Sequence, residues 1–274
     1  MNMLVAHFAR RAVALVLVAV TVPVAVAVAQ QTNPAFVPEV GQEGRDVVWV
    51  PTPPELVKKM LDMANVTPQD FVIDLGSGDG RIVIDAAKRG ARALGVEYNP
   101  DMVELSRRNA TEAGLADKAT FVQGDMYEAD ISKASVMALF LTGSNMIRLR
   151  PKFLDLAPGT RIVSNTFGIE GWTPDKTEVI PVLNCSETFC TALLWIVPAK
   201  VEGTWRFPQG ELTLKQEYQM ISGTLGSAPI SEGKLLGTEI TFKVGGALYT
   251  GRVSGNLMEG TVGNERWSAV RAAR

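Results

Sequence analysis

Between Thr52 and Pro198 the apolar residues recur in two rhythms, one helical and one of short continuous runs, and their alternation predicts the fold. Thr52-Pro53-Pro54-Glu55 reads as a helix start, with a capping hydroxyl, prolines that the first turn tolerates and a glutamate at the third position. Leu56, Val57, Met60, Leu61 and Met63 follow at helical spacing. After Thr67-Pro68 the pattern predicts strand 71–75, helix 81–89, strand 92–97, helix 100–113, strand 119–123, strand 136–141, helix 144–156 and strand 161–164. This alternation implies an α/β chain: a Rossmann-like, mostly parallel sheet with helices on both faces. Runs 178–183 and 191–198 flank a short loop and imply a terminal antiparallel hairpin. From Lys200 the style changes to short alternating strands broken by glycine, a small all-β domain of barrel or sandwich type. Glu202-Gly203-Thr204, Ser222-Gly223-Thr224, Leu236-Gly237-Thr238 and Glu259-Gly260-Thr261 echo one another and suggest a meander with similar hairpin turns. Trp205, Tyr218, Phe242, Tyr249 and Trp267 either line a ligand groove or, as is commoner for alternating aromatics, form its core.

The first 29 residues carry a different signal. Arg10 and Arg11 precede an apolar run from Ala12 to Val20 that resumes from Val22 to Val28 and closes on Ala27-Val28-Ala29. Basic region, apolar core and small-x-small site predict a secretory signal peptide cleaved before Gln30. An uncleaved membrane anchor through residues 12–28 is the alternative, and a mitochondrial presequence a third, acid-poor but also serine-poor. Signal or anchor, the folded part is expected to be exported: periplasmic, or extracytoplasmic and membrane-anchored. Residues 30–50, rich in Pro, Gly and Gln, read as a linker or ordered lead-in, followed by domains at 51–199 and 200–274.

Composition then removes whole classes of chemistry. His7 is the sole histidine and lies in the leader, so the mature chain has no imidazole for a nucleophile system or a metal site. Two cysteines exclude a four-cysteine zinc site, and no metal is expected. With 27 Lys+Arg against 29 Asp+Glu, and two of the arginines in the leader, the chain is mildly acidic and shows no basic nucleic-acid footprint. Cys185 and Cys190 flank the predicted hairpin tip, where export would permit a disulfide; two independent thiols are the competing reading.

Val72-Ile73-Asp74-Leu75-Gly76-Ser77-Gly78-Asp79-Gly80 places a glycine-rich turn between strand and helix. Glycine permits a sharp turn and close approach of backbone N–H groups to a ligand, and the helix N-terminus favours negative charge. The spacing is G-x-G-x-G, neither the dinucleotide fingerprint nor a P-loop. Asp79 and Arg81 read as helix N-terminal residues without a required role. Glu97 at the end of the second strand and Gly124-Asp125-Met126 after the third complete a set that resembles the class I S-adenosylmethionine-dependent methyltransferases. The resemblance spans about Val50 to Pro198. It implies that the cofactor is S-adenosyl-L-methionine, held by Asp74, Gly76, Ser77, Gly78 and Gly80, with Glu97 on the ribose hydroxyls and Asp125 and Met126 at the adenine.

Val50-Pro51-Thr52-Pro53, Arg148-Leu-Arg150-Pro151 and Leu156-Ala-Pro-Gly-Thr160 are similar to the non-SET protein-lysine methyltransferases, the group that includes the ATP synthase c-subunit enzymes and bacterial relatives. That likeness implies that the segment at Thr52 closes over the cofactor, that residues 139–145 face the methyl group, and that a protein lysine or other amine is methylated by direct in-line transfer. Phe140, Thr142, Asn145 and Trp49 are the substrate-side candidates, with Phe167 as a further wall. The chain departs from the group at Phe140, where tyrosine is frequent, and near Asn165–Glu170, where acids are frequent and this chain reads Ser164-Asn165-Thr166-Phe167-Gly168. Two other readings stand beside this one: an exported protein of the same fold that binds the cofactor or a nucleoside without transfer, and an envelope-binding protein working through its C-terminal β domain.

Overall fold

The computed structural model describes residues 36–181, 189–208 and 210–272, so the expected signal segment and Cys185 lie outside the described residues. Seven strands form one mixed sheet in the order β3-β2-β1-β4-β5-β7-β6. They are β1 (Phe71–Leu75), β2 (Arg92–Glu97), β3 (Ala119–Gln123), β4 (Val136–Leu139), β5 (Arg161–Asn165), β6 (Lys176–Val179) and β7 (Thr191–Ile196). The first five run parallel, and β7 pairs antiparallel with both β5 and β6, which is the expected terminal hairpin. Because β2 and β3 lie on one side of β1 while β4 and β5 lie on the other, the chain reverses direction across the sheet at β1/β4. Ligands of open α/β sheets bind outside the strand C-termini at such a point.

Alternation along β1 sends Val72 to one face and Ile73 and Leu75 to the other, and each face has its own core. Helices α1 (Pro54–Met63), α2 (Arg81–Lys88) and α3 (Pro100–Glu112) cover the first with Leu56, Leu61, Val83, Ala86 and Val103. Helix α4 (Gly143–Leu154) covers the second with Met146, Leu149 and Phe153, beside the indoles of Trp172 and Trp195. Thr52 does not cap α1 as expected: the cap residue is Pro53 and no side chain caps it. The buried Thr52 hydroxyl instead accepts from Asn165 Nδ2 at 3.3 Å, which ties the segment before α1 to the end of β5.

The C-terminal part is a closed eight-stranded meander barrel: β8 (Gly203–Phe207), β9 (Gly210–Glu217), β10 (Met220–Leu225), β11 (Ala228–Leu236), β12 (Glu239–Val244), β13 (Ala247–Ser254), β14 (Leu257–Val262) and β15 (Glu265–Arg271). Pairing of Val270 and Arg271 with Arg206 and Trp205 closes it. Its interior is filled by Trp205, Phe242 and Trp267 with Leu212, Ile240 and Met258, as barrels of this size require, so these aromatics are core and not a groove. Of the four echoing glycines only Gly237 sits in a hairpin turn. Gly203 opens β8, while Gly223 and Gly260 lie inside strands, where a Cβ on Gly260 would come within 1.9 Å of the Thr250 carbonyl and 2.7 Å of the Trp267 ring. The repetition therefore reflects close packing of strands more than a shared turn. Tyr218 stacks on Trp172 at 5.7 Å, Gln219 Nε2 donates to the Thr173 carbonyl at 2.7 Å, and the Ala199 N–H donates to the Gly237 carbonyl at 2.8 Å, joining barrel to sheet.

At the opposite end of β1 from the glycine loop, Asp70 is 6 % exposed and accepts from the Thr67 N–H, the Ser135 hydroxyl and the Arg161 guanidinium. Burial alone would raise its pKa, but these donors outweigh it and hold the carboxyl below its ordinary value. Asp70→Ala, which strands the Arg161 charge, is expected to cost about 3 kcal/mol at pH 7. A carboxyl depressed in the fold contributes stability above its unfolded pKa, about 3.9, and loses it as pH falls further. In denaturant titrations the gap between wild type and variant should therefore narrow below about pH 4; a constant gap would show that packing, not charge, is at work.

Candidate functional site

A cavity of about 360 Å³ opens at the C-terminal ends of β1 to β4. Gly76, Glu97, Gly124, Asp125, Met126, Phe140 and Thr142 line it from the sheet, and residues 42–50 form its opposite wall. A smaller neighbouring cavity is lined by Thr52, Asp74, Ser77, Gly78 and Asp79, and Trp49 and Phe140 border both. Gly80 and Asn145 line neither. Gly80 precedes α2 at φ +83°, where a Cβ would strike the Phe121 ring at 2.7 Å, so its part is to let the loop pack down. Asn145 is buried in the first turn of α4, its Nδ2 without a partner.

The loop is fixed by its own backbone. Gly76 N–H donates to the Val96 carbonyl at 2.8 Å, and Gly78 N–H donates to Glu97 Oε2 at 3.0 Å. Asn99 N–H donates to the other oxygen of Glu97 at 2.9 Å, so two amides orient that carboxylate while each oxygen keeps accepting capacity. Ser106 Oγ donates to the Gly78 carbonyl at 2.7 Å, and Asn109 Nδ2 to that of Asp79 at 2.9 Å, which docks the turn onto α3. Gly78 lies at φ +54°, and a Cβ there would meet the Trp49 indole at 2.7 Å. Arg81, expected to have no required role, chelates Asp79 and donates from Nη1 to the Thr52 carbonyl at 2.9 Å, holding the Thr-Pro segment beside the loop.

The carboxyls of Asp74, Asp79 and Glu97 converge here. Asp74 is 2 % exposed; burial first, then the nearby Glu97 and Asp79 charges, push its pKa well above the ordinary value. Asp125 is held below its ordinary value, chiefly by the Tyr127 N–H at 2.8 Å and also by Arg45, whose Nη1 lies 2.8 Å away. Across the cavity, Phe140, Phe167 and Phe189 form an aromatic cluster with ring centroids 5.0 to 6.2 Å apart. The backbone beside it is strained: Thr166 has φ +59°, and the Phe167 N–H folds back onto the Asn165 carbonyl at 2.6 Å, a tight γ-turn unusual for a β-branched residue. Sequence reading named Trp49, Phe140 and Phe167. It missed Arg45, Tyr98, Met102 and Phe189, which lie in a lead-in without period, beside the strand-end acid, on α3 and at the hairpin loop.

The residues present fit a nucleoside cofactor bearing a cationic amino-acid arm. The turn is one that side chains would obstruct, Ser77 Oγ is buried beside the smaller cavity without a partner, and anionic acceptors stand at successive strand ends. Fold and site together define a class I S-adenosylmethionine-dependent methyltransferase. The family model of the ANTKMT methyltransferase domain matches residues 74–176. A protein-lysine N-methyltransferase of Saccharolobus islandicus is 44 % identical over 139 residues, half of this chain and 85 % of that protein. The chain belongs to the S-adenosylmethionine-dependent protein-lysine N-methyltransferase family. The ATP synthase c-subunit lysine N-methyltransferase of Mus musculus is 40 % identical over 107 residues, and the chain spans 43 % of its length. The crystal structure of an RNA methyltransferase from Salinibacter ruber in complex with S-adenosyl-L-homocysteine is 46 % identical, and the match covers 56 % of this chain and 96 % of that one with TM-score 0.52. None of the matched shares extends to the whole chain.

Asp74→Asn separates stability from binding. An acid whose pKa is raised by folding is least costly below its unfolded pKa and destabilises increasingly as pH rises. The variant should melt several degrees above wild type at pH 7, with the difference fading below about pH 4, the unfolded carboxyl range. Calorimetry should at the same time show at least about tenfold weaker S-adenosylhomocysteine binding, or 1.4 kcal/mol. Unchanged affinity would remove Asp74 from the site.

Proposed function

We propose that this chain methylates the side-chain amine of a lysine in a protein exposed outside the cytoplasm. The observation that carries the substrate half is the cluster of Phe140, Phe167 and Phe189 against the cavity that the cofactor loop borders. Apolar walls lower the pKa of an amine brought among them, and the neutral form is the nucleophile. Aromatic faces also attract the methylated cation that forms. When bound, S-adenosylmethionine supplies a methyl group already activated on a sulfonium. What remains for the protein is alignment and exclusion of water.

Under this reading the Gly76–Gly80 backbone and Asp74 hold the methionine arm, Glu97 takes the ribose hydroxyls, and Asp125 accepts from the adenine amine, with Met126 and Met102 beside it. Thr52 and Trp49 flank the arm, and Phe140 and Thr142 face the methyl end. The names of the relatives support lysine: those of Saccharolobus islandicus and Mus musculus are lysine N-methyltransferases. The basic and apolar leader at Arg10 to Ala29 supports export, and the location follows from it.

The test is transfer of labelled methyl from S-adenosylmethionine to the source cell's envelope proteins and, in parallel, to its total RNA. Label should appear in protein, resist nuclease and be recovered as methyllysine after hydrolysis. Phe140→Ala should reduce the rate by about 10- to 100-fold with little loss of S-adenosylhomocysteine affinity, as expected for a positioning wall. Label confined to RNA would overturn the lysine assignment, and an intact native mass that retains Met1 would overturn cleavage before Gln30.

A further inference from the structure

The wall of the cavity opposite the sheet is a loop pinched at its base. Gly41 N–H donates to the Trp49 carbonyl and Trp49 N–H to the Gln42 carbonyl, each at 2.9 Å, so residues 43–48 project as a flap over the strand ends. Its bend depends on Gly44, where a Cβ would lie 2.3 Å from the Val47 carbonyl. From the tip of this flap Arg45 reaches across. Its guanidinium carbon stands 4.4 Å from the Tyr98 ring centroid, and its Nη1 is 2.8 Å from Asp125 Oδ2. Tyr98 follows the acid at the end of β2 and Asp125 follows β3, so one side chain joins the flap to two strand ends. A planar guanidinium suits both contacts at once, since it stacks on an aromatic face and donates to a carboxylate.

Two uses of such a contact can be separated on space alone. If Arg45 stood where a nucleobase belongs, closing the pair would fill the cavity. With the pair made, about 360 Å³ stays open, within the ~300–1,000 Å³ range of pockets that bury small ligands. Room for the cofactor therefore exists with the flap shut, and the Arg45–Asp125 contact ties that flap to the strand ends on the cavity wall.

We propose that Arg45 is a positioning residue that latches residues 42–50 over the nucleoside end of the cavity, so that cofactor and spent product exchange only when its pair with Asp125 parts. The inference rests on the cofactor assignment and is independent of the methyl acceptor. The pair is partly exposed, with 43 % and 23 % of the two side chains accessible, so salt weakens it.

The experiment follows labelled S-adenosylhomocysteine leaving the full chain into excess unlabelled compound, for wild type, Arg45→Ala and Arg45→Lys. Release from Arg45→Ala should be about 5- to 10-fold faster, the scale of one charge-assisted contact. Association should also be faster, because entry crosses the same latch. Raising salt from ~0.05 to ~0.5 M should speed release from wild type and leave Arg45→Ala almost unchanged. Arg45→Lys should fall between the two, keeping the charge without the planar fork. Unchanged or slower release from Arg45→Ala would overturn the latch, and tighter binding would show that Arg45 competes with the cofactor. Should Arg45→Ala fold poorly, Arg45→Gln and the wild-type salt series decide the same question. Failure of the cofactor assignment itself would look different: wild type would bind no S-adenosylhomocysteine.

Discussion

The hydrogen bond from the Gly78 amide to the Glu97 carboxylate organises this molecule. To make it, the turn after β1 must lie directly on the end of β2, and every residue that would hold the two apart is small. A Cβ at Gly95 would stand 2.5 Å from the Ser77 hydroxyl, and one at Gly78 would enter the Trp49 indole. From that contact the rest of the site follows. The carboxylate is aimed by two amides, the indole closes over the turn, and α3 is drawn in through Ser106 and Asn109. Glycine here is a condition of approach as well as of turn geometry.

Two aspartates at opposite ends of β1 show how one strand divides its work. Asp70 is buried with its donors made, so its charge belongs to the fold. Asp74 is more deeply buried and has other carboxylates for company, so its charge opposes the fold. Local conflict of this kind is expected where structure serves a ligand, since a cation arriving beside Asp74 would relieve what folding alone cannot.

Strand and helix positions were legible in the sequence because long periodic segments carry their own signal: strands 71–75, 92–97 and 119–123 agree to the residue. The glycine turn and the acids at 74, 97 and 125 were legible because their residue types are few and their order is informative. What sequence could not show depends on contacts between distant segments. The hydroxyl of Thr52 looked like a helix cap and serves Asn165 instead, 113 residues away. Arg81 looked like a helix terminus and carries the Thr-Pro segment. Arg45 had no pattern around it at all. The four Gly-Thr echoes misled because the same residue pair suits a turn and a strand crossing equally well.

The described strands also leave little for a neighbouring chain to join. Closure of the barrel through β8 and β15 removes its edges, so the open margins of the sheet are β3 and β6 alone. At β3 the Arg107 guanidinium covers the Phe121 carbonyl, with its Nη2 at 2.8 Å. At β6, four residues long, Glu178 sits between Lys59 and Lys176. A short charged margin and a capped one are poor templates for a foreign strand. The fifteen described strands are thereby guarded against edge-to-edge association by the chain's own side chains.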